Sequence, residues 1–68
     1  MKIHINKDQP LHSIINLLTS KGYLEIYNCV GTPVCILIHK NHTYEVLNNS
    51  NPVNPYNITL RELIWMLT

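Results

Sequence analysis

Val34-Cys35-Ile36-Leu37-Ile38-His39-Lys40-Asn41-His42-Thr43-Tyr44-Glu45-Val46-Leu47 is the stretch that decides the fold. Its first five residues are apolar without alternation, the pattern of a strand covered on both faces. Lys40-Asn41 follows as a two-residue hairpin loop, with Asn suited to positive φ, and residues 42–47 return as an antiparallel edge strand. In this register His39 and His42 face each other. Residues 34–38 are expected to be the most buried segment of the chain.

Upstream, residues 23–30 are rich in aromatic and β-branched side chains and read as a half-buried strand. Leu24, Ile26 and Val30 share the expected inward face, while Tyr23, Glu25 and Tyr27 share the outward one. Gly31-Thr32-Pro33 is a turn, so this strand, the central strand and the edge strand form a three-stranded meander. Further upstream, Leu11, Ile14, Ile15 and Leu18 make one apolar helical stripe. Asp8 offers an N-cap oxygen, Pro10 suits a first turn, and Lys21-Gly22 is a helix stop. Residues 2–6 alternate as a short strand, with Ile3 and Ile5 on one face.

Downstream, residues 48–57 are rich in Asn, with Ser50, Pro52 and Pro55, and read as the longest loop. Thr59-Leu60-Arg61-Glu62 is a capping box with Ile58 and Leu63 as its hydrophobic staple. The second helix then buries Leu60, Leu63, Ile64 and Leu67, leaving Trp65 and Met66 elsewhere; Trp65 is expected to rest on the loop against Tyr56. The expected architecture is α+β, in the order β-α-β-β-β-α. Its antiparallel sheet has three or four strands, with both helices on one face. Whether residues 2–6 join the meander or pair with another copy is open from sequence.

A chain of 68 residues makes one domain, 1–68, because it supports a single core. Hydrophobic residues are 46% and charged residues only 13%, so the surface is polar rather than charged and draws on abundant Asn. Abundant Asn, Ile, Lys and Tyr suggest an A/T-rich genome. The net charge of +1 is spread over scattered Lys and Arg, which argues against nucleic acid as a partner and leaves room for a homodimer. No apolar run is long enough for a membrane span and no signal-like segment opens the chain, so a cytoplasmic location is expected. The N-x-S/T patterns at Asn41, Asn48 and Asn57 are by-products of an Asn-rich chain.

Zinc chemistry has only Cys29, Cys35, His39 and His42 to draw on, with His39 and His42 the facing pair; the cysteine spacing is not that of a zinc knuckle. No metal or other cofactor is expected. A Cys29–Cys35 disulfide across the turn is conceivable, but free thiols are expected in a reducing cytoplasm. Asp8, Glu25, Glu45 and Glu62 are the only carboxylates, and each has a capping or solvent-facing role. No catalytic constellation is left, and the two glycines serve turns rather than a phosphate loop. The aromatics remain: Tyr23, Tyr27, Tyr44, Tyr56 and Trp65 combine apolar bodies with polar handles, the composition of binding hot spots.

The order of a helix, three strands and a helix, with Gly22-Tyr23 after the first helix, Gly31-Thr32-Pro33, His39-Lys40-Asn41 and a Leu-rich helix from Leu60 to Leu67, resembles the HicA toxin family. The resemblance covers residues 11–68 and implies a double-stranded-RNA-binding-like fold. Where that family carries its catalytic His stands Thr32 or Pro33, and the family's many basic residues are missing. It therefore implies architecture more than ribonuclease activity. The expected function is a non-enzymatic protein-interaction module, a regulator or inhibitor from a phage or other mobile element that binds a host protein. An RNA-binding toxin-type domain and a small metal-binding module are the rival readings.

Overall fold

The computed structural model describes residues 1–50 and 57–68. Among these, the chain runs β1 (Lys2–His4), α1 (Leu11–Ser20), β2 (Leu24–Asn28), β3 (Cys35–Ile38), β4 (Thr43–Leu47), β5 (Asn57–Ile58) and α2 (Leu60–Leu67). The α+β class and the two helices agree with the sequence reading, but the sheet is mixed and five-stranded, in the order β2-β4-β3-β1-β5. β3 is antiparallel to both β1 and β4, while β2 runs parallel to β4 and β5 parallel to β1.

The meander is therefore corrected. β3 is the most apolar strand and takes two partners that cover it well: β4 through a tight hairpin, and β1, whose Ile3 stands beside Ile36. The six residues between Asn28 and Cys35 are long enough to carry the chain past β4, which sits inside the sheet rather than at its edge. β5 lies within the stretch expected as loop or helix lead-in; residues 51–56 fall outside the described residues.

Directly paired residues share a face of the sheet. Val46, Ile36, Ile3 and Ile58 form one row across four strands. Tyr44 and Ile38 are paired on the same side. Ile14 and Leu18 of α1 and Leu63 of α2 pack onto this face and close the core. α2 is narrower in its burial than its sequence stripe: Leu63 is fully buried, Leu60 and Leu67 lean on the core, and Ile64 is exposed.

Local chemistry explains the helix ends. Asp8 is not the N-cap of α1, because Asn6 Oδ1 accepts the N–H groups of Asp8 and Gln9 in a turn, and extended Pro10 takes the cap position. At the other end Gly22 adopts φ +84°. Its N–H donates to the Thr19 carbonyl at 3.1 Å, and that of Tyr23 donates to Leu18 at 3.0 Å. These are the two bonds of a Schellman motif. The motif sets Tyr23 against Leu18 in the core rather than on a solvent face. The capping box of α2 forms as read: Glu62 N–H donates to Thr59 Oγ1 at 3.1 Å and Thr59 N–H to Glu62 Oε1 at 3.0 Å.

Gln9 joins these parts. Its Nε2 donates to the His4 carbonyl and its Oε1 accepts the Leu60 N–H, one of the orphan donors that open α2. Gln9→Ala frees two backbone groups at once, and a loss of roughly 1–2 kcal/mol is expected in denaturant unfolding. A change within error would show that water replaces the amide without cost.

Candidate functional site

The expected aromatic face does not assemble as the sequence suggested. Tyr23 is 8% exposed and Tyr44 2%, both inside the core, and only Tyr27 of the strand tyrosines faces solvent. Tyr56 lies outside the described residues. Trp65, expected against Tyr56, is 81% exposed on α2, flanked by exposed Ile64 and Met66.

A register shift explains the strand. Leu24 and Glu25 of β2 pair with Thr43 and Tyr44, and Tyr27 and Asn28 with Glu45 and Val46, so Ile26 is an extra residue in the ladder. Such a bulge reverses alternation beyond it. Glu25 and Asn28 therefore stand on the helix side, beside Tyr44 and Val46, while Leu24 and Tyr27 stand on the outer side with Thr43 and Glu45. Ile26 joins them there, bordering a shallow depression with His39, Lys40, Asn41, Thr43 and Glu45. The expected inward residues Leu24, Ile26 and Val30 are all exposed, Val30 by 90%.

The outer side of the sheet divides in two. Over β1 and β3, the carbonyl of Asn49 accepts the Cys35 thiol and that of Ser50 accepts Lys2 Nζ at 3.3 Å, so Cys35 and Lys2 are buried. Over β2 and β4, exposed Leu24, Ile26 and Tyr27 share this side with a His39 Nε2 to Glu45 Oε2 contact of 2.7 Å. His39 and His42 do not face each other. The hairpin loop has three residues, Lys40 to His42: His39 N–H bonds the Thr43 carbonyl at 2.9 Å, and His42 rather than Asn41 takes positive φ, at 62°. His42 turns to the other side and stacks on Tyr23, with ring centroids 4.7 Å apart.

Cys29 and Cys35 are free thiols. β4 lies between them, since Cys29 N–H donates to Val46 while Cys35 pairs with Leu47. Two strand spacings, about 10 Å, exceed the reach of a disulfide. Among the described residues no three His, Cys, Asp or Glu side chains are grouped to hold a metal ion. No helix of the described residues is long and apolar enough to cross a membrane.

Burial pushes the Cys35 thiol above its ordinary value of 9.0, against the opposing pull of Lys2. Burial also raises Tyr44 above 10.0, helped by the negative charge of Glu25 and by the hydrogen bond its hydroxyl donates to that carboxylate. Both groups are acids held protonated by the fold. Their contribution is complete below the unfolded-state values and is lost as pH rises through them toward the folded-state values. Tm is expected to start falling near pH 9, and Cys35→Ala to move that onset toward the tyrosine range. An onset unchanged by the substitution would discard the thiol as its source.

No protein-family model, curated protein or solved structure matches the chain. The geometry therefore stands alone: a small α+β domain with a five-stranded mixed sheet and two exposed apolar surfaces, one on the outer side of β2 and one on α2.

Proposed function

We propose that the chain is a small non-enzymatic protein-interaction module, a regulator or inhibitor of the type a phage or other mobile element directs at a host protein. Its contact surface is the outer face of α2 around Trp65. The observation that carries this reading is the three consecutive large apolar side chains, Ile64, Trp65 and Met66, left exposed on a helix that commits only Leu63 fully to the core. Single exposed apolar residues are ordinary, but a cluster centred on Trp marks a contact surface. Arg61, Glu62 and Thr68 border a shallow groove beside Ile64 and Trp65, supplying a polar rim.

The test is affinity capture of the tagged protein from host extract, with and without nuclease, followed by binding measurements with Trp65→Ala. A stoichiometric protein that survives nuclease is expected. Its affinity should fall at least about 30-fold on Trp65→Ala, the loss typical of a buried hot-spot Trp. Undiminished binding by a folded Trp65→Ala variant would remove α2 as the contact surface. Capture that depends on nucleic acid would move the RNA-binding reading to first place.

A further inference from the structure

β2 ends the sheet on one side, and its outer edge has no partner strand among the described residues. We propose that this edge pairs with β2 of a second copy, antiparallel, around a two-fold axis between Ile26 and Tyr27. The two sheets then continue into one. This surface is separate from the Trp65 face and does not depend on it.

The bulge selects the register. Leu24 and Cys29 donate their N–H groups inward to β4, at 2.9 and 3.0 Å. By strand alternation, the backbone groups of their neighbours Glu25 and Asn28 point outward. An axis between Ile26 and Tyr27 brings Glu25 opposite Asn28 of the second copy, and Asn28 opposite its Glu25, as hydrogen-bonded pairs. Two residues stand between these positions on each strand, so the bulges match in length.

The side-chain pairs nearest the axis in this register also share a face. Glu25 and Asn28 are both on the helix side, Ile26 and Tyr27 both on the outer side. Ile26 meets Tyr27 of the second copy twice, an aromatic and β-branched pairing that favours sheets. Glu25, the only charge between Tyr23 and Val30, meets an amide. An axis on Ile26 would set Glu25 against Tyr27, from opposite faces. One on Tyr27 would set Ile26 against Asn28, also from opposite faces, and one on Glu25 would juxtapose two carboxylates. The strand carries no Pro, Lys or Arg to block an edge, and a net charge of +1 supplies little repulsion between copies.

Sedimentation equilibrium of the wild-type protein over a wide concentration range should show a monomer–dimer equilibrium. Asn28→Glu opposes two carboxylates twice per dimer and should weaken association at least about tenfold, with an unchanged circular dichroism spectrum. Trp65→Ala should dimerise as the wild type does, which separates this pairing from partner binding on α2. A wild type that stays monomeric, or an Asn28→Glu variant as dimeric as wild type, overturns the pairing.

Discussion

Leu63→Ala is expected to lower the unfolding free energy by about 3 kcal/mol, within the range for deleting a fully buried leucine. Leu63 is the one residue of α2 with no exposed surface, and Leu60 and Leu67 are only partly covered on either side of it. The capping box fixes where α2 begins, but a helix of eight residues has too few internal bonds to persist without packing. The cavity therefore loosens the whole helix rather than one side chain. For a domain of this size each kcal/mol moves Tm by roughly 4–8 °C, so a drop of at least about 12 °C is expected by calorimetry. Ile64→Ala, on the same helix and equally apolar, should shift Tm by less than about 3 °C because Ile64 is exposed. Equal losses from the two substitutions would mean that α2 is seated with a different face on the sheet.

What could be read from the sequence was local. Thr59 and Glu62 lie three apart and recognise each other's backbone, so the start of α2 needs no knowledge of the rest of the chain. Lys21-Gly22 likewise announces the end of α1, and the unbroken apolar run of β3 announces its place inside the sheet. The order of the strands depends instead on contacts far apart in sequence, such as Ile3 beside Ile36, which compete with the nearer turn at Gly31. The bulge at Ile26 has no signal in composition, yet it decides which side chains of β2 meet solvent. The tyrosines fail as a joint surface because Tyr23 and Tyr44 pack into the core, while Tyr27 and Trp65 stand outside. Tyr23 was legible in retrospect, because the residue after a Schellman glycine packs back on its own helix. Gln9 was not, since nothing nearby in sequence shows that its amide reaches both His4 and Leu60.

Ile3→Ala is the sharpest test of the strand order. β1 has three residues, too short for a strand to hold its place by hydrogen bonds alone, and Ile3 is its one side chain with no exposed surface. It stands between Ile36 of β3 and Ile58 of β5, so the row Val46-Ile36-Ile3-Ile58 is interrupted at its middle when the side chain is cut back. A loss of roughly 2–4 kcal/mol is expected, or at least about 8 °C in Tm. Amide exchange should accelerate first in β5, which joins the sheet through β1, and next in α2, whose start Gln9 ties to the end of β1. Leu24→Ala and Val30→Ala remove comparable apolar groups from exposed positions and should change stability by less than about 0.5 kcal/mol. In a three-stranded meander with β2 packed inward the ranking would invert, with Leu24 costly and Ile3 tolerant. The two outcomes differ by several-fold in free energy, and unfolding curves of these three variants decide between the two strand orders.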